Sequence, residues 1–296
     1  MEKHSLAPLL AGLKTEELDS NLFSGVPIQF PLKRIFGGQV LAQALYSAAK
    51  TVSETDRVPH SIHAYFLRGG DMKRNVIYDV DPIRDGRSFS TRRVVARQHG
   101  RAIFNSSVSF QKREDGLEHQ MEMPSGIPAP DALITYEKYL AQQKEKHPEI
   151  TTFFQLPHNI IDVRIPDPID LIAPEKSPPI GGFWFKFDSQ IGDDPLLHRS
   201  ALAFISDKLL MMNALRPHGI RTSGNPNLIA ASLDHAMWFH SDIRVDQWIY
   251  YYLDSPRAAH ARGLNRGLFY TQDGILIAST IQEGLIRIID GPISKN

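Results

Sequence analysis

From Phe36 to Lys50 the apolar residues Val40, Leu41, Ala44, Leu45 and Ala48 recur at spacings of three and four, which marks one face of an α-helix. The Gly37-Gly38 pair at its start leaves room for backbone or ligand to come close. The period then changes to two. Strands are expected over Ser61–Leu67, Val76–Ile83, Arg87–Arg97 and Arg101–Lys112, separated by turn signals such as Asp85-Gly86 and His99-Gly100. One helix followed by strands at hairpin spacing argues for an antiparallel sheet folded about that helix, and against a parallel βαβ arrangement. The second half repeats the plan, with a helix over Leu197–Leu215 and strands over Leu228–Phe239, Gln247–Leu253, Ala261–Tyr270 and Ile275–Ile288. Between the halves the composition changes to a charged stretch from Arg113 to Glu122, a Pro-rich run through Pro130, and a charged helix over Asp131–Lys146 expected to act as a packing spacer.

The two halves also resemble one another. Laying Gly100 of Arg97–Phe110 on Gly274 of Tyr270–Arg287 gives an offset of 174 and brings Ser106 onto Thr280. His63-Ala64 falls on His235-Ala236 at an offset of 172, and the run Val40–Leu45 falls on Leu209–Ala214 at 169. Three matches in one order at nearly one offset point to a duplicated domain. The expected division is an N-terminal domain over residues 1–113, a linker over 114–158 and a C-terminal domain over 159–296.

Charge narrows the function classes. The 33 basic residues are balanced by 33 acidic ones, so no large positive field for a nucleic-acid backbone is expected. With no cysteine, a thiolate nucleophile, a disulfide and a cysteine-ligated metal are all excluded. The N-terminus lacks an apolar run of signal-peptide length, and no window approaches 18 consecutive apolar residues, so a cytoplasmic protein without a membrane span is expected. The final residues Ile293–Asn296 come near a peroxisomal Ser-Lys-Leu ending, but Asn296 lacks its apolar side chain.

Familiar site chemistry finds little support. Ser232, Asp234 and His235 crowd together, yet on a regular strand the first two face one way and His235 the other, and no Gly-x-Ser-x-Gly elbow occurs. The twelve histidines show no metal-ligand spacing, and phosphate loops and dinucleotide fingerprints are absent. Neither a metal nor a cofactor is expected. What stands out is a set of polar residues in apolar surroundings. Asp207 falls among Phe204, Ile205, Leu209 and Leu210, at the place where the 169 offset puts Gly38. Ser232 lies in Ile229–Leu233, and Gln282 follows Ile275–Ile281 where the first half has Val108. Each also has a plain structural reading: a helix cap, a backbone-bonded serine and a surface glutamine.

Five segments carry a family resemblance: Phe36–Leu45, Val58–Leu67, Arg84–Phe89, Leu233–His240, and Tyr270–Gly274 with Ser279–Gly284. Over roughly residues 20 to 290 the chain resembles the type II acyl-CoA thioesterases, the TesB type. The resemblance implies an α+β double hot-dog, two tandem domains each with a long helix wrapped by an antiparallel sheet. It implies hydrolysis of medium- to long-chain acyl-CoA to fatty acid and CoA without a covalent intermediate, and assembly into dimers or tetramers. The family's catalytic Asp, Thr or Ser, and Gln fall on Asp207, Ser232 and Gln282, Ser232 standing where many members have Thr. Asp207 is then expected to take a proton from water that Ser232 and Gln282 orient, with helix-start N–H groups facing the oxyanion. Leu209, Met211, Met212 and Trp238 are expected beside the acyl tail. The competing readings are a hot-dog hydratase or dehydratase, whose His five residues after the Asp is Met212 here, and a non-catalytic acyl-CoA-binding protein.

Overall fold

The computed structural model describes residues 6–54, 56–148, 160–188, 191–221 and 224–289; the end of the expected linker and residues Ile293–Asn296 lie outside them. A short helix α1 (Leu6–Leu13) and a hairpin β1 (Glu16–Asp19) and β2 (Leu22–Gly25) precede the first long helix α2 (Gly37–Lys50). Strands β3 (Arg57–Phe66), β4 (Val76–Asp85), β5 (Phe89–Gln98) and β6 (Arg101–Lys112) follow. After the linker helix α3 (Tyr136–Lys146) come β7 (Ile161–Arg164), β8 (Ile180–Phe187) and α4 (Pro195–Ser206). A 3-10 helix over Leu210–His218 leads into β9 (Leu228–Ser232), β10 (Asp234–Phe239), β11 (Ile249–Ala259), β12 (Arg262–Thr271) and β13 (Leu276–Ile288).

The strands form one sheet in the order β1-β2-β4-β5-β6-β3-β10-β13-β12-β11-β8-β7, with β9 paired to β13 off this path. All of its pairings are antiparallel. The halves meet at β3 and β10, where Ile62 lies opposite Met237 and Ala64 opposite His235. Within each half the sheet wraps one helix, which is the double hot-dog that the hydrophobic pattern and the resemblance lead one to expect.

α2 is buried on nearly every side, its apolar residues against the sheet and α4, its polar ones against the N-terminal segment. Gln39, Gln43 and Ser47, spaced by four, are wholly buried and therefore need partners. Gln39 Nε2 donates to the carbonyl of Val26 at 2.8 Å, Gln43 Nε2 to that of Gly12 at 2.7 Å, and Ser47 Oγ to that of Gln43 at 2.8 Å. α2 and α4 run antiparallel: Gly38 packs on the carbonyl of Phe204, while near the other end of α2 burial, joined by the nearby Asp194 carboxylate, raises the Tyr46 phenol.

Two matches between the halves shift. α4 follows β8 and precedes β10 as α2 follows β2 and precedes β3, so α4, and not Leu209–Ala214, is the counterpart of α2. The match at 169 is therefore accidental. α4 starts at Asp194, whose side chain caps the backbone N–H groups of Leu196 and Leu197, and it ends at Ser206, nine residues before the expected Leu215. Leu209 adopts a left-handed conformation (φ 60°) that breaks the helical ladder, and the chain resumes as the 3-10 helix. Asp207 thus stands at the C-terminal end of a helix, and not at a helix start as its match to Gly38 had it. The match at 172 is off by one. Ile62 and Ala64 point inward in β3, as His235 and Met237 do in β10, while His63 is exposed and meets Trp238 edge-on at 5.1 Å. The 174 match keeps its phase: Ser106, Val108, Thr280 and Gln282 are all buried on the inward face.

Candidate active site

Asp207 follows α4 and faces the start of α2. A Cβ on Gly37 would stand 2.6 Å from Asp207 Oδ2, and one on Gly38 2.2 Å from the Phe204 carbonyl oxygen, so the glycine pair is what lets the two helix ends meet. The backbone N–H of Gly38 donates to the carboxylate, which lies in front of the positive end of α2. The helix start at the site consequently belongs to the opposite half of the chain from Asp207. Burial lifts the Asp207 carboxyl from 3.8 to about 6, against the hydrogen bonds of Ser232, Gln282 and Gly38, which act to lower it.

The structure brings all three nominated residues together. Ser232 Oγ donates to Asp207 Oδ1 at 3.1 Å, and Gln282 Nε2 donates to Ser232 Oγ at 2.8 Å. Gln282 is not a surface residue but wholly buried in β13, in the middle of the sheet. Its Oε1 lies 2.6 Å from Nδ1 of His235, whose Nε2 lies 2.9 Å from Ser206 Oγ. Burial lowers the His235 imidazole to about 4, the bond to Gln282 working the other way, so the ring is neutral at pH 7.

His235 escapes strand-parity reasoning because the strand is not regular. The expected strand Leu228–Phe239 divides at Leu233, whose N–H donates to the carbonyl of Glu283 while its carbonyl accepts from Phe66. That irregularity shifts the alternation by one residue, so Ser232 and His235, three apart, both reach Gln282. Asp234 is the residue turned elsewhere, accepting from the N–H of Glu283 at 2.8 Å. A signal for His235 was present: keeping Ala64 in phase with Met237 gives an offset of 173 and lays His235 on Ile62.

A cavity of about 410 Å³ opens at Asp207. Phe36, Phe183, Leu209, Met212 and Leu253 supply apolar wall, and Tyr136 and Tyr139 of α3 close one side. The linker helix, expected as a spacer, thus forms part of the wall. Lys208 lies beside Asp207 with its amine over the Tyr136 ring at 5.3 Å, and burial lowers it to about 8. Of the side chains expected beside an acyl tail, Leu209 and Met212 line the cavity; Met211 packs against Gly284, and Trp238 faces His63 on the outer side of the sheet. Among the described residues no cluster of three or more His, Asp or Glu forms a metal cage.

A sheet wrapped around one helix in each half, the halves joined edge to edge, defines the double hot-dog class, and known proteins make the activity specific. The acyl-CoA thioesterase family model matches residues 180–285, and that of the acyl-CoA thioesterase N-terminal domain matches residues 26–111. Acyl-coenzyme A thioesterase 8 of Mus musculus is 40% identical over 286 residues, covering 93% of this chain and 88% of that protein. Acyl-CoA thioesterase 2 of Haemophilus influenzae is 37% identical, covering 93% of this chain and 95% of its own. The crystal structure of an acyl-CoA thioesterase II from Mycobacterium marinum is similar with a TM-score of 0.77 at 39% identity, covering 97% of this chain and 100% of that one. The chain belongs to the acyl-CoA thioesterase family, and it is a thioester hydrolase.

Proposed function

We propose that this enzyme hydrolyses medium- to long-chain fatty acyl-CoA to free fatty acid and CoA by direct attack of water held at Asp207, Ser232 and Gln282. The observation that carries the reading is the carboxylate, hydroxyl and amide hydrogen-bonded in sequence where an apolar cavity reaches the start of α2. In the proposed reaction Asp207 takes a proton from the water as its oxygen bonds to the thioester carbon. Ser232 and Gln282 orient that water, and the positive end of α2 stabilises the charge on the carbonyl oxygen. Collapse breaks the carbon–sulfur bond. The thiolate of CoA receives the proton from Asp207, and the acid gives up its own proton to solvent. A carboxyl titrating near 6 suits both transfers.

The apolar walls favour an acyl chain over a short polar acyl group. A hydratase would need a histidine free to face the substrate, whereas both ring nitrogens of His235 are engaged by Ser206 and Gln282. The test is incubation with acyl-CoA of graded chain length and a thiol reagent. CoA release that rises toward medium and long chains is expected, with no acyl group on Ser232 when the reaction is quenched in mid-turnover. Release confined to acetyl-CoA, or an acyl-Ser232 adduct, would sink the reading.

The same reading includes the domain division 1–113, 114–158 and 159–296, a cytoplasmic location and a dimer or tetramer. For location the support is that no described helix is long and apolar enough to cross a membrane. For assembly it is the outward face of the sheet, where Tyr65 is 60% and nearby Leu67 45% exposed beside the His63–Trp238 contact. Light scattering is expected to return a multiple of 33.3 kDa, and a monomeric mass would count against it.

A further inference from the structure

Resting on that reading of the Asp207 site, we propose that His235 is a positioning residue: through its Nδ1–H it fixes which way the Gln282 amide points, and so aims the amide N–H at Ser232 and Asp207. The two halves differ at this place. His235 and Gln282 lie opposite each other on the inward face of β10 and β13, and the same places in β3 and β6 hold Ile62 and Val108. All four side chains are buried. One copy has an apolar pair that needs nothing, and the other has a polar pair that is costly unless every group finds a partner.

The hydrogen bonds also have a direction. Gln282 gives its N–H to Ser232, so the group it turns to His235 is the acceptor Oε1, and Nδ1 must carry the proton. Nε2 of the neutral ring is then an acceptor, and the Ser206 hydroxyl 2.9 Å away must turn its one proton to the ring and away from the Ala203 carbonyl, which lies 2.8 Å from the same oxygen. With the Ser206 proton turned to the ring, every donor from Ser206 through His235, Gln282 and Ser232 points toward Asp207. If Nδ1 were the acceptor instead, the amide would turn round. Its oxygen would then press on the Ser232 hydroxyl and the carboxylate, and Asp207 would lose a donor that favours its charged form. Other groups at this chain are the Ala203 carbonyl, which competes for the Ser206 proton, the Tyr251 hydroxyl, which donates to the Ser206 carbonyl and touches Thr280, and Lys208 next to Asp207.

The tests are His235→Ile, which installs the first half's residue, and His235→Asn, whose amide nitrogen can replace Nδ1–H. For His235→Ile kcat is expected to fall about tenfold with KM unchanged, and the acid limb of the pH–rate profile should move to higher pH; His235→Asn should recover most of both. A His235→Ile enzyme with wild-type kcat and acid limb, whatever its thermal stability, overturns the proposal. The second measurement needs no turnover: nitrogen-15 NMR of histidine-labelled wild-type protein, the His235 signal being the one lost in His235→Asn. A proton on Nδ1 is expected, and a proton on Nε2 overturns the proposal even where His235→Ile does not fold. Failure of the thioesterase reading looks different, as wild-type enzyme that leaves acyl-CoA intact.

Discussion

Asp207→Asn is expected to lower turnover by about 10²-fold or more while leaving acyl-CoA binding in place and making the folded protein more stable. The first effect is the usual size of a lost general base, because the carboxamide cannot take a proton from water. The second follows from the direction of the carboxyl's shift. Burial raises Asp207 from 3.8 to about 6, so the folded state holds this proton more tightly than the unfolded chain does. Stability therefore falls as pH rises through that window, and at neutral pH the ionised group costs the fold about 1 to 3 kcal/mol, allowing for its partial contact with solvent. Asparagine removes the charge yet can still accept from Ser232. A variant both slow and more heat-resistant is the signature of a group kept for chemistry. A fully active Asp207→Asn enzyme sinks the proposed mechanism, and a slow but less stable one shows a structural role instead. Ser232→Ala and Gln282→Ala should each cost less than Asp207→Asn, since in the proposed mechanism they orient the water without taking its proton.

The second large effect is on pH dependence. In the proposed mechanism the reactive form of Asp207 is the carboxylate, so kcat/KM should be level above about pH 7, bend near 6 and fall about tenfold for each further unit of acidification. At pH 4 that is a loss of about a hundredfold. His235 titrates near 4 and Lys208 near 8, so neither produces a bend at 6. A profile that stays flat down to pH 4.5 would remove Asp207 from the role of base.

Much of the architecture was legible because it rests on periodicity. The expected helix Phe36–Lys50 differs from α2 by one residue, and the hairpin turns at Gly100 and Gly274 both have positive φ. Such features are written locally, in the spacing of apolar side chains and in residues that tolerate special backbone angles. What escaped is set by single residues. One left-handed residue, Leu209, breaks the expected helix Leu197–Leu215 and leaves Asp207 at the end of α4 instead of inside a longer helix. One irregular residue, Leu233, reverses the face of His235 relative to Ser232. The polar residues of the candidate site were conspicuous against apolar neighbours, but their meeting depends on the packing of β9, β13 and the end of α4, which no local pattern encodes. Gly38 and Asp207, laid over one another as equivalents, are instead neighbours across the join between the halves.

That join has a consequence for how such a molecule can change over evolutionary time. In a symmetric pair of separate hot-dog chains, a substitution made once appears twice, at both sites, and a change that improves one surface must be tolerated by the other. Covalent fusion removes that bond between the copies. Ile62 and Val108 can become plain packing because His235 and Gln282 are specified by different codons, and the start of α2 can serve a carboxylate that its own half lacks. In the proposed mechanism the first half serves as the other's scaffold, and neither half, expressed alone, is expected to hydrolyse a thioester.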